Sequence, residues 1–401
     1  MMRGKLATGG ASFRTRMVEG KPSVEPGGSA GHVLFLQGTS NFGGSKQSLL
    51  NVIDTLPSRH RPVVAVAEPG WLVDELDARR VPHVTLPFPA WRKLFGPWRL
   101  RSAIARQWLP ALSPMRIACV YANEFPWSAH AVLAARALRC RSLVHLHGAY
   151  AAAKARKHLV HRLDAIVACS SEGREALRGL PEAFDKTGVV FYGLPERQFG
   201  SGTDREAGRA ALGIPAGVLA IGNIGKLCER KNQRLLLAAL GRAKAAQAIG
   251  PFRVFFAGAA DMDYRRAMEA DAARLNLSDE ICYLGQIGDV GSLLASVDIV
   301  VHCATREGLA FAMIEGMAAG KPVVATQVEG TRDAIPDDGF GLVVPPGNAD
   351  ALAAAIAGLA ADGQLRGSIG QRAKERALSH FRMAGFGERI AAILDRLVSS
   401  G

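Results

Sequence analysis

Aromatic residues make up only 6% of this 401-residue chain, and cysteine occurs just six times, at Cys119, Cys140, Cys169, Cys228, Cys282 and Cys303. No two cysteines are closer than 21 positions, so the C-x-x-C spacing of zinc and redox sites is missing and a disulfide scaffold is excluded. Four of them lie in or beside apolar runs, and all six are read as reduced core residues of a cytoplasmic protein. No run approaches the ~18 apolar residues of a spanning helix; residues 210–225, for example, are broken by Pro215 and four glycines. Residues 1–30 lack the apolar centre of a secretory signal and are expected to be a disordered basic tail or a misassigned start. What is present, 48% apolar and 21% charged residues, is a globular composition long enough for two domains.

Acidic residues are short in one half only. Residues 1–210 carry 29 Lys/Arg against 16 Asp/Glu, and residues 211–401 carry 20 against 20, so the whole net charge of +13 belongs to the first half. That half is expected to face something anionic: a phospholipid surface, a phosphorylated substrate or nucleic acid. Nucleic acid ranks last, because no recognition motif accompanies the charge. Between Phe88 and Trp108 lie five basic residues, no acid and three of the five tryptophans. Trp91, Arg92, Lys93, Trp98 and Arg99, with Arg106 and Trp108, suit a short amphipathic helix in a headgroup layer; a core helix with snorkelling arginines is the alternative.

Short β-branched or apolar runs alternate with helical segments. The first series is 33–36, 63–67, 84–86, 117–121, 143–146, 166–169 and 189–191; the second is 218–224, 254–256, 281–284, 299–302, 323–325 and 342–344. This is the α/β pattern of parallel sheets covered on both faces, and it predicts two doubly wound, Rossmann-like domains facing across a cleft. Residues 195–203 form the linker, and helices at 351–361, 371–380 and 389–398 close the chain. Ligands of such sheets bind beyond the carboxyl ends of the strands.

Three strand-to-helix turns carry candidate chemistry. After the first strand, Gly43-Gly44-Ser45 opens a helix and offers free amides to a phosphate. After residue 224, Gly225-Lys226 and Lys231-Asn232 place two lysines five apart, within reach of one diphosphate. The third turn, Arg306-Glu307-Gly-Leu309-Ala310-Phe311 leading to Glu315, carries two carboxylates roughly 12 Å apart at ~1.5 Å rise per residue. That exceeds the roughly 5 to 9.5 Å of a glycosidase pair, so the two are expected to grip hydroxyls at opposite ends of one ligand. Glu315 inside an apolar helix is costly as mere packing. Asp261-Met262-Asp263 matches a D-x-D metal motif but is read as an acid pair at a helix start, and His302 as a core residue.

As a set these residues, with Gly320-Lys321-Pro322, Leu146-His147-Gly148, Gly258, Leu284-Gly285 and Gly341 to Gly347, resemble the retaining GT-B glycosyltransferases of family 4. The resemblance covers residues 32 to about 398 and implies GT-B architecture. It divides the chain into an acceptor domain at 31–200 and a nucleotide-sugar domain at 201–383, with a last helix, 384–401, packed back on the first domain. It implies that Lys226 and Lys231 bind the donor diphosphate with the Gly43 and Gly44 backbone, and that Glu315 holds the ribose. Glu307 would contact the transferred sugar, His147 would stand beside its reacting face, and backbone at Gln286 and Ile287 would read the base. Leu309, Ala310 and Phe311 complete the donor loop. Two positions depart from the family pattern: Tyr192-Gly193 replaces Asn-Gly, and Ala310 replaces a glycine.

The implied activity is transfer of a sugar from a UDP- or GDP-sugar to a saccharide or lipid-linked acceptor, with retention and with no essential metal. The setting would be bacterial exopolysaccharide, capsule or lipopolysaccharide synthesis at the inner face of the cytoplasmic membrane. A phosphorylase, a sugar-nucleotide epimerase or a non-catalytic nucleotide-binding scaffold are the alternatives.

Overall fold

A computed structural model describes residues 31–199 and 204–399. The proposed tail at 1–30 and the end of the proposed linker therefore lie outside the described residues. The first sheet has seven strands: β1 (His32–Gln37), β2 (Arg61–Val66), β3 (His83–Thr85), β4 (Ile117–Ala122), β5 (Arg141–Leu146), β6 (Ala165–Ala168) and β7 (Thr187–Val189), in the order β3-β2-β1-β4-β5-β6-β7. The second has six: β8 (Leu219–Ile224), β9 (Phe252–Ala257), β10 (Ile281–Gly285), β11 (Ile299–His302), β12 (Val323–Thr326) and β13 (Leu342–Val344), in the order β10-β9-β8-β11-β12-β13. Every pairing is parallel. Each expected apolar run became a strand because parallel strands are buried on both faces and read as continuous hydrophobic runs.

In each sheet the strand order reverses once, between β1 and β4 and between β8 and β11. Such reversal points open a crevice at the carboxyl ends of the strands. The two crevices face one another: a Cβ on Gly44, after β1, would lie 3.6 Å from the Phe311 ring, and one on Gly308, after β11, would lie 2.6 Å from the His147 carbonyl oxygen.

Alternate side chains of the first sheet feed opposite cores. Leu34, Leu36, Val63 and Val120 line one face; Val33, Phe35, Val64 and Tyr121 line the other. The second face is covered by the helix Gly44–Thr55 and by the chain's last helix, Met383–Ser399, which buries Phe386, Ile390, Leu394 and Leu397 there. Asp395 of that helix accepts from Arg59 through both carboxylate oxygens, at 2.8 Å each, and from His60 at 2.8 Å. The chain thus crosses between sheets twice. The two crossings are stitched together where Leu194 N–H donates to Phe381 O and Met383 N–H donates to Leu194 O.

Several expectations require correction. The segment after Gly96 is not a short helix. Helical backbone runs through Gly96–Ala103, Ile104–Trp108 and Leu109–Leu112, with a π turn just before Pro110, where the ring removes a backbone donor. Trp108 does not face a lipid layer: it is fully buried and donates to Pro87 O at 3.0 Å. Trp91 is half-buried and donates to Lys157 O at 2.9 Å. Of the six free cysteines, Cys119, Cys169 and Cys303 are core residues, but Cys140, Cys228 and Cys282 are only partly buried. Asp261 caps the helix Met262–Arg274 by accepting from Asp263 N–H, and His302 is buried. Among the described residues no helix is long and apolar enough to cross a membrane.

Candidate functional site

The first-domain wall of the cleft is a polar network. Asn123, after β4, donates from its amide to Gln37 at 2.7 Å and to Ser45 O at 3.0 Å. Its neighbour Glu124 accepts from Gln37, Ser45 and Lys46. Burial works against the Glu124 charge, but Lys46, the Ser45 hydroxyl and Gln37 outweigh it and hold the carboxyl below its usual range. These bonds brace the Gly43-Gly44-Ser45 turn, so the amides at the start of the helix Gly44–Thr55 are held at the cleft.

His147 follows β5. Its Nε2 lies 2.6 Å from Asn123 O, which can only accept, and its Nδ1 lies 2.7 Å from the Tyr192 hydroxyl. The Asn123 carbonyl places a proton on Nε2, and in the neutral ring Nδ1 then accepts from the Tyr192 hydroxyl. Burial pulls its pKa down to about 4 against the opposing pull of Glu124. Both nitrogens are occupied within the protein, so His147 offers a ring edge to the cleft and no free base. Tyr192 in turn stacks on Phe311 of the second domain, with ring centres 4.5 Å apart and planes 3° from parallel.

The second-domain wall concentrates charge. Glu307 accepts from Arg230 Nη1 at 2.6 and 2.8 Å and from Lys231 Nζ. Burial opposes its ionisation, but Lys231, His302 and Arg230 hold its pKa below the usual carboxylate value. Lys226 is exposed on the same turn. Lys226, Glu229, Arg230 and Lys231 on this turn, with Arg306 and Glu307 on the facing loop, give four cations against two carboxylates, and the surplus of two positive charges matches a diphosphate. The helix Phe311–Ala318 starts beside them with its first amides uncapped by any side chain. Leu309 and Ala310 are buried at 3% and 5% exposure, so only their backbone can face a donor.

Glu315, in the second turn of that helix, has a different environment. Its one side-chain partner is the Gln198 amide at 3.2 Å, and burial pushes its pKa up to about 7. Gln286 and Ile287 follow β10 on the same edge of the sheet. A cavity of about 170 Å³ adjoins them, lined by Leu227, Gly258, Met262, Tyr283 and Gly285 among others.

Glu307, Lys226 and Lys231 therefore share one wall, while His147 and Gly44 stand opposite with Phe311 between. Arg92, Lys93, Trp98 and Arg99 are exposed on the first domain's flank. Sequence reasoning missed Arg230, although it lies between the two lysines, and also missed Glu124, Gln198 and the domain clasp. In that clasp Glu329 accepts from Ala149 N–H and Ser170 Oγ, Asp333 from Ser171 N–H and Oγ, and Glu172 from Gly330 N–H.

Two family models match the chain: Glycosyltransferase Family 4 over residues 42–194 and Glycosyl transferases group 1 over residues 204–376. Among curated proteins, the putative glycosyltransferase EpsD of Bacillus subtilis is 32% identical over 148 residues, 37% of this chain and 38% of that protein. The lipopolysaccharide core biosynthesis glycosyltransferase LpsE of Rhizobium meliloti is 30% identical over 182 residues, 45% of this chain and 51% of that protein. The chain thus spans about half the length or less of these curated relatives. Among solved structures, Anabaena Alr3699/HepE in complex with UDP superposes with a TM-score of 0.80 at 23% identity, over 91% of this chain and all of that one.

Proposed function

The chain belongs with the GT-B glycosyltransferases of family 4 and group 1, and from that premise we propose that it moves a sugar from a UDP- or GDP-sugar to a saccharide or lipid-linked acceptor, with retention at the anomeric carbon. The observation that carries this reading is the pairing of Glu307 with Arg230 and Lys231 beside the uncapped helix Phe311–Ala318, directly across from the Gly44 turn. Under this reading the acceptor domain runs over 31–200 and the donor domain over 201–383. Lys226, Lys231, Arg230 and the amides at Phe311 and Gly44 take the diphosphate, with no metal required for charge balance. Glu307 meets the transferred sugar, Glu315 the ribose, and the backbone at Gln286 and Ile287 the base.

With His147 locked as a neutral ring, no side chain at the reacting face serves as a base. The acceptor then attacks from the face the nucleotide leaves, its proton passing to the departing phosphate oxygen. The protein's share is positioning and stabilisation of the charge that develops on that oxygen. The acceptor side includes an exposed patch: Leu94, Phe95 and Trp98 are 81%, 67% and 68% exposed, flanked by Arg92, Lys93 and Arg99. Apolar tips ringed by cations fit an anionic bilayer, which suits a lipid-linked acceptor at the inner membrane face in surface-polysaccharide synthesis.

Calorimetry with UDP, GDP, ADP and dTDP, without added metal, tests the donor site. Preference for one nucleotide, weakened at least tenfold in Lys231→Ala, is the expected result. Binding of none of the four would sink the reading. For the membrane patch, the triple variant Leu94→Ser, Phe95→Ser, Trp98→Ser should lose most sedimentation with vesicles rich in phosphatidylglycerol; unchanged sedimentation would remove the membrane from the proposal.

A further inference from the structure

Glu315 and Gln198 are 117 positions apart in sequence, yet each is the other's only side-chain partner among the described residues. No cation answers Glu315: its burial is opposed only by the Gln198 hydrogen bond. The Gln198 N–H₂ donates to Glu315 Oε1, the orientation that the ionised carboxylate, which only accepts, requires, and its carbonyl turns away. That carbonyl oxygen, Oε1, is buried and has no partner. Gln198 is not a loose surface chain. It ends the short helical turn Glu196–Gln198, with Phe199 beside it packed at 6% exposure into the second-domain core. Arg382 also grips Glu196 through two hydrogen bonds of 2.9 Å.

The result is one buried acceptor without a donor, Gln198 Oε1, beside a carboxylate whose single side-chain hydrogen bond among the described residues comes from Gln198. Buried acceptors without donors are costly and uncommon, and a bound phosphate or carboxylate would add further acceptors. The group that fits presents two adjacent donors, which is a vicinal diol. On the proposed nucleotide-sugar reading, on which this inference rests, the diol next to the diphosphate is that of the ribose. We infer that Gln198 is a ribose-binding residue: its amide carbonyl and Glu315 Oε2 together receive the two ribose hydroxyls, while its N–H₂ holds the carboxylate in place. Because Gln198 belongs to the crossover rather than to the sheet, ribose occupancy also ties the donor to the linker between the domains.

The test compares the preferred one of UDP and GDP with its 2′-deoxy analogue, on the full chain and on Gln198→Met, which keeps length and loses both polar atoms. In the wild type, removing the 2′-hydroxyl is expected to weaken binding about tenfold or more, since a built acceptor left unpaired rejects the analogue. In Gln198→Met the ribonucleotide should weaken about tenfold and the deoxy analogue much less, so that the two converge. The acidic limb of nucleotide affinity should also move to higher pH, because the hydrogen bond that favours ionised Glu315 is gone. Because the ribo-to-deoxy ratio is internal to each variant, a general loss of fold or affinity does not imitate this outcome. Equal weakening of both nucleotides, or no change in either, overturns the inference and leaves the donor-site reading standing. Absence of any nucleotide binding by the wild type overturns both.

Discussion

Glu307 and Glu315 are the same residue type eight positions apart, and their neighbours push them in opposite directions: Lys231 and Arg230 hold Glu307 ionised, whereas burial raises Glu315 to about 7. An unfolded glutamate titrates near ~4.3, so between that value and about 7 the native state holds an extra proton at Glu315. Stability therefore falls as pH rises through that window. Glu315→Gln should remove this decline: its melting midpoint at pH 8 should exceed the wild type's by about 2–4 °C, and the gap should close by pH 5. The same variant should lose ten- to a hundredfold in nucleotide affinity, as expected for a charge-assisted hydrogen bond of about 1.5–3 kcal/mol. Tyr192→Phe probes the opposite wall. It leaves His147 Nδ1 buried without a donor and should cost about 1–3 kcal/mol in urea unfolding. Because Tyr192 occupies a position where the related pattern has asparagine, reversion to Asn tests whether a shorter donor restores the bond.

At the scale of an element, the last helix shows how a segment remote in sequence completes a domain. Leu394 is fully buried against the first sheet, and Leu394→Ala should cost about 2–5 kcal/mol. That loss should appear in the unfolding of the first domain, followed by tryptophan fluorescence because all five tryptophans lie there, with nucleotide affinity unchanged. The ion pairs of Asp395 with Arg59 and His60 hold its carboxyl at about 2. Their contribution is present above the unfolded value near ~3.9 and is lost as pH falls toward 2. It is small, because Arg59 and Asp395 are largely solvated. The helix Phe311–Ala318 is the converse case: short and apolar, it carries first amides uncapped by any side chain and a carboxylate at Glu315, and under the proposed function these matter more than its packing area.

At the scale of the molecule, the cleft is closed by carboxylates. Glu329 and Asp333 of the second domain accept backbone and hydroxyl donors from Ala149, Ser170 and Ser171 of the first, and burial raises the Glu329 pKa, with Glu172 and Glu307 adding to it. The double variant Glu329→Ala, Asp333→Ala should open the pair of domains. Small-angle scattering should show a larger radius of gyration, and turnover should fall while nucleotide affinity stays near the wild-type value. An unchanged radius would mean that the Tyr192–Phe311 stack and the crossovers suffice to hold the closed form. The excess positive charge is also distributed at this scale. Besides the Arg92–Arg99 flank, Arg61, Arg116, Arg139 and Arg162 are exposed along the amino ends of β2, β4, β5 and β6, the edge away from the cleft. The basic half of the chain therefore serves more than one surface.

By itself, the sequence determined the local and repetitive features. Buried parallel strands require unbroken apolar runs, so all thirteen strands were legible within a few residues, and glycine-bearing turns marked where helices open beyond them. Charged residues at two such turns and one carboxylate in an apolar helix pointed to the wall that the proposed function assigns to the donor, because charge in those places is costly without a task. The partners of those charges were not legible. Arg230 meets Glu307 across 77 positions, Gln198 meets Glu315 across 117, and Ser170 meets Glu329 across 159. Which tryptophan is core and which is exposed was equally hidden, since Trp91, Trp98 and Trp108 share one segment and differ only in what the fold lays over them. Such pairings arise from the facing of two separately wound sheets and from the second crossing of the chain. No local periodicity encodes either one, and only the tertiary structure decided them.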